Sequence, residues 1–362
     1  MFKEPTLNFL PKRPSQAGYG IGLIGAGYIA EIAHIPAYQK AGYRLLAAAD
    51  PSEERRQYCR KVAGVTKLFA DHRALLDLPE VEIVDITIPQ SSPHKMPVVH
   101  DAIDAGKHIL LQKPFAMNYR DAVEVVEHAQ RAGVKLALNH QRRWAPAYLA
   151  VKGMIDQGRL GDLFFLTVDE RREYDWPGKS YIEQERMLLL MDGTHYVDLF
   201  RWLTGCEIKQ VYASISRRPG QHARGEMVGT LLLDFDTNLR AVYITSLAGY
   251  RQAEYQRFRL EGTEGVISGN YDNSWGPGEF EYSPARSESL WFRPQLTGSW
   301  IPDAFIGSMG DLMEAIASDR EPAVSGADNL KTLQVIFAAY RSAELARSVA
   351  PAEISAETAL AR

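Results

Sequence analysis

The stretch Gly20-Ile21-Gly22-Leu23-Ile24-Gly25-Ala26-Gly27-Tyr28-Ile29-Ala30 limits the folds open to this chain more than any other. It holds two overlapping glycine patterns. Gly20, Gly22 and Gly25 match G-x-G-x-x-G to the letter, whereas Gly25, Gly27 and Ala30 match only the G-x-G-x-x-A variant. A phosphate-binding loop has to follow a strand and open a helix. Ile21, Leu23 and Ile24 make a short apolar strand ahead of Gly25, and Ile29, Ile32, Ala33 and Ala37 recur at helical spacing beyond Tyr28. The second pattern is therefore the better physical fit. Gly25 would make the tight turn, Gly27 would let backbone approach a pyrophosphate, and Ala30 is small enough for close packing of helix on strand. The free N–H groups and positive dipole end of that helix would face the phosphates.

Tyr43–Ala49 reads as a second apolar strand, ending in Asp50. That acid lies about 20 residues past the loop, where an acid takes the ribose hydroxyls in an NAD site. The bland alternative is a glycine-rich turn followed by an ordinary helix-capping Asp.

A chain of 362 residues suffices for two domains of ordinary size. A net charge of -4 argues against a nucleic-acid-binding surface as the main function. No uncharged apolar run approaches a membrane span. Residues 1–15 carry Lys3, Glu4, Lys12, Arg13 and several prolines rather than the apolar core of a signal peptide. Cys59 and Cys206 suggest neither a disulfide framework nor a C-x-x-C metal pair, so no metal is expected and a reducing cytoplasm is the default setting.

Residues 1–17 read as an N-terminal arm, with Leu7, Phe9 and Leu10 apolar enough to pack on a neighbour. From Tyr19 the pattern alternates. The Ser52–Ala63 helix is followed by the Lys67–Ala70 and Ile83–Ile88 strands. The Pro93–Ala105 helix, the His108–Leu111 strand, the Asp121–Ala132 helix and the Lys135–Leu138 strand complete the series. Such alternation predicts an α/β fold, a doubly wound parallel Rossmann sheet over 18–140.

Beyond it the grammar changes. A helix at Ala147–Gln157, a strand at Asp162–Asp169 and a helix at Leu188–Leu203 precede four strands, Lys209–Ser216, Val228–Phe235, Arg240–Ser246 and Arg257–Glu261. Asn270–Trp300 reads as irregular, and two helices, Phe305–Ala317 and Asn329–Val349, close the chain. Residues 141–362 are thus expected to form an α/β domain on a large, open, mostly antiparallel sheet.

Two stretches carry chemistry. Gln112-Lys113-Pro114 ends the fifth strand, and ligands of doubly wound folds bind at the carboxyl ends of strands. A partly desolvated lysine there could shuttle a proton to or from a substrate hydroxyl, or could simply be a surface lysine. On the 188–203 helix, Met191, His195 and Asp198 share a face, with Asp192 at its edge. Leu189, Tyr196, Phe200 and Leu203 supply an apolar set on a different face, which leaves His195 for a cleft as a general base, although a lone His near a helix start is more often structural. Asp198 could orient it or pair with Arg201; the spacing allows both.

Together these features resemble the glucose–fructose oxidoreductase, inositol dehydrogenase and MocA-type oxidoreductase family. The resemblance runs through Gly25–Ala30, Ala105-Gly106-Lys107-His108, Gln112-Lys113-Pro114, Gln141-Arg142-Arg143-Trp144, Gly193-Thr194-His195-Tyr196-Val197-Asp198, Arg201-Trp202-Leu203 and the start of the last helix at Ser325–Lys331. It implies oxidation of a sugar or cyclitol hydroxyl by NAD or NADP. Lys113 would relay a proton and His195 would act as base or hydroxyl ligand. The cofactor would meet Gly25, Gly27, Tyr28, Ile29, Asp50, Pro89, His94, Gln112, Lys113, Gln141 and Trp144. The substrate would meet Lys113, Arg172, Trp176, Asp192 and His195. The open face of the second sheet would form a homodimer or homotetramer.

The chain departs from the family pattern at three places: Gln112 stands for the usual Glu, Met191 for the usual Asp, and the segment before His94 is one residue longer. Asp50 would repel a 2′-phosphate and favours NAD, although Arg55 and Arg56 stand nearby. Tyr174, Trp176, Trp275, Trp291 and Trp300 could stack on a sugar, with Arg171, Arg172 and Glu173 on its hydroxyls, or could be core and dimer contacts. A redox-assisted glycosidase with tightly held NAD and a non-catalytic NAD and sugar sensor are the alternative functions.

Overall fold

The fold is drawn from a computed structural model that describes residues 5–90, 92–271, 275–287 and 290–357. Strand β1 (Gly20–Ile24) is buried along its whole length, as the centre of a parallel sheet must be. A π-helical turn at Ala30–His34 leads into helix α1 (Ile35–Ala41). Strand β2 (Arg44–Ala49) precedes α2 (Glu53–Ala63), whose Ser52 cap accepts the Arg55 N–H as its spacing predicts. Strand β3 (Lys67–Phe69), α3 (His72–Leu76), β4 (Ile83–Ile86), α4 (Lys95–Asp104), β5 (His108–Leu111), α5 (Tyr119–Ala132) and β6 (Leu136–Leu138) follow. The sheet order is β3-β2-β1-β4-β5-β6, all parallel. This doubly wound order reverses beside β1, where such folds bind dinucleotides.

Strand β4 stops two residues before the expected Ile88, although Thr87 N–H still donates to the Ile24 carbonyl at 2.9 Å. Helix α3 is one short turn, too brief for periodicity to reveal. Gly20 and Gly22 lie on the strand. A Cβ on Gly20 would sit 1.9 Å from the Glu80 carbonyl oxygen, and one on Gly22 would sit 2.6 Å from Leu75. Strand packing, not phosphate binding, accounts for the literal G-x-G.

The second sheet begins after α6 (Pro146–Asp156) with β7 (Leu163–Arg171). Helix α7 (Thr194–Thr204) then precedes β8 (Ile208–Ser216), β9 (Val228–Phe235), β10 (Arg240–Ser246), β11 (Tyr255–Gly262), β12 (Gly265–Tyr271) and β13 (Glu279–Pro284). The order is β13-β12-β11-β7-β10-β9-β8, antiparallel except for the β7–β10 pair. The expectation of an irregular 270–300 stretch is corrected here: it contributes the end of β12 and all of β13. Glycine hid β12 from propensity. Gly269 is required because a Cβ there would meet the Phe258 ring at 2.1 Å. Helices α8 (Asp303–Ala317) and α9 (Gly326–Leu345) close the chain.

The chain divides into two compact units that are not contiguous in sequence. One holds Pro11–Gln141 and Ile301–Leu330. The other holds Arg142–Trp300, with the described residues up to Leu10 and from Lys331 on. Helix α8 is part of the first: Phe305, Met309, Leu312 and Met313 pack with Ile21, Ala37, Tyr38, Ile83 and Leu110 into one apolar core. The arm is laid on the chain's own surface, with Arg13 donating to the Ala41 carbonyl at 3.3 Å and Ser15 N–H to Glu314 at 2.6 Å. Among the described residues, no helix is long and apolar enough to cross a membrane.

Candidate active site

Gly25 leaves β1 with φ +90, a conformation that glycine adopts at little cost. Its N–H donates to Ala49 at 2.8 Å, and its carbonyl accepts from the Thr87 hydroxyl. A Cβ on Gly27 would meet nothing nearer than Arg55 at 4.0 Å, so this glycine leaves its side of the loop open. Ala30 is fully buried beside Leu23, Ala48 and Cys59, the close packing its small size permits.

Asp50 is nearly buried and lies just past β2. Its two oxygens accept from the N–H groups of Ala26 and Ser52, each at 2.8 Å. Arg55 stands 3.7 Å from the same carboxylate. A cavity of about 560 Å³ is lined by Gly25, Gly27, Asp50, Arg55, Pro89 and His94, together with Asp71, His72 and Arg73, which the sequence did not mark. Tyr28 is exposed, and Ile29 packs on the core behind the loop. This glycine-lined recess, with an acid at its edge and a helix opening at Tyr28, fits a dinucleotide.

At the end of β5, Gln112 is buried and stands in a dense network. Its Oε1 accepts the Lys113 N–H at 2.8 Å, and its Nε2 lies 3.2 Å from His34 Nε2. His34 in turn meets Asp85 through Nδ1 at 2.6 Å. Tyr38 also donates to Asp85, at 2.5 Å. An amide donor at 112 suits a histidine that gives its proton to Asp85 and accepts at Nε2. Gln112 is therefore matched by its surroundings. Lys113 is half-buried and precedes a cis proline. On its two sides, the carbonyls of Gln112 and Pro114 accept from the buried Lys95 ammonium, a residue the sequence reading missed. Gln141 is buried and Trp144 half-buried in a single 3-10 turn.

Helix α7 has no open face of the expected kind. It is buried almost all round, and His195 is 2 % exposed. The helix packs on two sides, so its apolar set is not confined to one face. Tyr196 packs on Tyr243 of β10, while Arg201 reaches Thr332 of α9 at 2.9 Å. A π-helical turn at Leu189–Gly193 also interrupts the regular spacing used to align Met191 with His195. Asp198 accepts two hydrogen bonds from Arg143, and Arg201 pairs with Glu207.

Asp192 belongs to a buried cluster of charges in the same unit. Its Oδ1 lies 3.5 Å from Arg142, and its buried Oδ2 has no hydrogen-bond partner. Arg142 also bonds Gln256 at 2.8 Å and lies over the Tyr196 and Trp300 rings at 4.5 and 4.4 Å. Glu170, fully buried, accepts from Tyr196 at 2.6 Å and Tyr243 at 2.7 Å. Burial, then the neighbouring Asp192 charge, raises its pKa against the pull of Arg142 and Arg172. Arg172 is buried between Glu170 at 3.7 Å and Glu254 at 3.5 Å. Trp176 is partly exposed and meets Tyr174 edge-on at 6.0 Å. Glu170 had no visible signal, because its partners are distant in sequence, and Arg142 was marked only as part of the Gln141-Arg142-Arg143-Trp144 stretch.

A family model described as an oxidoreductase family with an NAD-binding Rossmann fold matches residues 19–140, and the GFO/IDH/MocA C-terminal domain matches residues 148–268. D-apiose dehydrogenase of Paraburkholderia graminis is 29% identical over 346 residues, covering 92% of this chain and 90% of that protein. Myo-inositol 2-dehydrogenase of Thermotoga maritima is 26% identical, with 92% and 99% covered. A solved oxidoreductase from Agrobacterium radiobacter, in complex with NAD+, L-tartaric acid and magnesium, is similar at a TM-score of 0.81 and 26% identity, covering 92% of this chain and 99% of that one.

Proposed function

This chain belongs to the GFO/IDH/MocA oxidoreductases with an NAD-binding Rossmann fold, and from that premise we propose that it oxidises a hydroxyl of a neutral sugar or cyclitol in the cytoplasm. The observation that carries the substrate class is the charge balance around Asp192. Arg142 and Arg172 each face carboxylates, while Asp192 Oδ2 is a buried acceptor still without a donor. Arg142 Nε is likewise a buried donor without an acceptor, so the set suits a hydroxyl, which both donates and accepts, rather than a substrate carboxylate, because both guanidinium charges already have carboxylate partners. Hydroxylated relatives' substrates, D-apiose and myo-inositol by name, agree with this reading.

NAD, when bound, supplies the hydride acceptor. Gly25 and Gly27 would admit its pyrophosphate, and Asp50 would accept from ribose hydroxyls while repelling a 2′-phosphate. Pro89 and His94 would line the same recess, with Tyr28, Ile29, Gln112, Gln141 and Trp144 completing the contacts. Asp192 and Arg172 would hold substrate hydroxyls, and Trp176 would offer an aromatic face. The proton released from the oxidised hydroxyl would pass to His195 or Lys113.

Residues 18–140 would serve the dinucleotide and 141–362 the substrate and assembly. Tyr212, Leu232 and Val242 lie in register across β8, β9 and β10, and the first two are 39 % and 48 % exposed. This apolar row supports a homodimer or homotetramer through the open sheet face.

The test is a panel of neutral sugars, cyclitols and sugar acids, followed by NADH absorbance with the parent protein, Lys113→Ala and His195→Ala. The reading requires turnover on a neutral polyol that falls by about 10²-fold or more in both variants. Turnover near the parent level in both, or oxidation of sugar acids alone, would sink it.

A further inference from the structure

Asp85 sits in the middle of β4 among Ile83, Val84 and Ile86, and all four residues are fully buried. A carboxylate in such a strand is costly unless donors meet it. Two do. His34 ends the π-helical turn and Tyr38 lies four residues on in α1, so both reach one oxygen. Tyr38 O–H donates to Asp85 Oδ2 at 2.5 Å, and His34 Nδ1 lies 2.6 Å from the same atom. Burial, and then the Asp85 charge, raise Tyr38 well above the ordinary phenol range, so its hydroxyl keeps the proton it donates.

The other ring nitrogen faces the ends of β5 and β6. Gln112 Nε2 and Asn139 Nδ2 converge on His34 Nε2, at 3.2 and 3.3 Å. The direction of the Gln112 amide is decided by a group with no choice. The Lys113 backbone N–H can only donate, and it meets Gln112 Oε1 at 2.8 Å. The NH2 end must then face His34, Nε2 must accept, and the ring proton must lie on Nδ1, against Asp85.

We propose that Asp85 and His34 are positioning residues for the Lys113 turn, and that the residue at 85 decides which residue 112 can be. This rests on the reading of Lys113 as the proton relay. Asp85 fixes the tautomer of the ring, the ring fixes the Gln112 amide, and the amide holds the Lys113 backbone. With the proton on Nε2, the amide would have to turn over and set its NH2 against the Lys113 N–H. A glutamate at 112 would aim a second carboxylate at an imidazole already paired with one, in a dry setting. The departure at 112 therefore has its partner at 85, on the neighbouring strand. In Asp85→Leu the logic inverts. The Tyr38 hydroxyl, 3.3 Å from Nδ1, can then donate to that nitrogen, and an Nε2–H can donate to a glutamate at 112.

The experiment begins without substrate or NAD. Long-range proton–nitrogen correlation spectra of protein carrying isotope-labelled histidine separate the two tautomers, and His34 is the signal that His34→Gln lacks. The parent protein is expected to show a neutral ring with its proton on Nδ1. A proton on Nε2, alone or together with one on Nδ1, overturns the proposal without any variant having to fold. Gln112→Glu is expected to lower the melting temperature of the parent, to raise that of Asp85→Leu, and to place the His34 proton on Nε2 in the double variant. A change of the same sign in both backgrounds overturns the proposal. If Asp85→Leu does not fold alone, recovery of folded protein on adding Gln112→Glu is the supporting result, and no recovery overturns it. With an active polyol in hand, kcat should fall about tenfold or more in each single variant and recover in the double variant. A double variant that regains stability but not kcat overturns the positioning role. The expected spectra and melting temperatures in a protein that oxidises no polyol leave the coupling of 85 to 112 standing and remove the dehydrogenase reading instead.

Discussion

Arg143 grips Asp198 with two hydrogen bonds, Nε to Oδ2 at 2.8 Å and Nη2 to Oδ1 at 2.6 Å, and both side chains are buried. The pair ties the turn after β6 to the helix that carries His195. Its geometry is bidentate, the strongest arrangement an arginine and a carboxylate can make.

Removing one partner therefore strands the other in a dry setting. Asp198→Ala is expected to lower stability by about 3–5 kcal/mol, measured by urea unfolding. Arg143→Met combined with Asp198→Leu should cost clearly less than the sum of the single changes. Additive losses would show that the pair carries no coupling of its own.

Asp50 offers a separate test at the cofactor recess. Its oxygens anchor the loop through Ala26 and the next helix through Ser52, and the carboxylate edge faces the cavity. Asp50→Asn keeps the size, removes the charge and turns an NH2 toward one of those two N–H donors, so one anchor is lost with it. A charged hydrogen bond is worth about 1.5–3 kcal/mol, so NAD affinity should fall about 10- to 100-fold by calorimetry. The ratio of NADP to NAD affinity should rise. An unchanged ratio would mean that Asp50 does not set cofactor choice.

The two glycine patterns can be told apart by mutation. Gly20→Ala forces a methyl against the Glu80 carbonyl, so its penalty should appear in thermal stability, with NAD affinity kept by the molecules that fold. Gly25→Ala must hold an alanine at φ +90 in the loop itself, at a cost of about 1–3 kcal/mol, and should weaken NAD binding. The reverse assignment would make the literal motif the working one.

Much of the fold was legible because strand, turn and helix are written locally. Strands β5, β9 and β10 run as their residues predict, and Ser52 caps its helix. What escaped was short, glycine-rich or non-local. Helix α3 is a single turn, and β12 spends two positions on glycine. In the site, Asp50 could be read from its distance to the loop. Arg142, Glu170 and Lys95 could not. Each is a charge in the interior, and only the partners that neutralise or hydrate it reveal why. Sequence patterns treat a lysine at a helix start as a surface residue, and Lys95 breaks that pattern by being buried. His195 is nearly buried on a helix covered on both sides, which has no polar face to read.

Acid should loosen the second unit at Glu207. Hydrogen bonds from Arg201 and then Lys331 lower its pKa to about 2 against the opposing effect of burial. A carboxylate depressed in the folded state stabilises it fully above its unfolded value of about 4.3 and loses that contribution as pH falls toward 2. The melting-temperature gap between the parent protein and Glu207→Gln should be largest at pH 7 and shrink steadily below about pH 5. A gap that ignores pH would assign the effect to packing. The carboxylate is half-exposed, so added salt should narrow the gap too.

Helix α8 has a consequence for how the molecule comes into being. A ribosome releases all six strands of the dinucleotide unit before it begins the second sheet. The apolar side of those strands is completed by Phe305, Met309, Leu312 and Met313, which emerge only after the whole second sheet has been made. The first part of the chain to be born is thus among the last to be finished, and during synthesis it carries an uncovered greasy flank. Nascent chains halted near residue 140 should bind holdase chaperones, and chains extended past residue 330 should let them go.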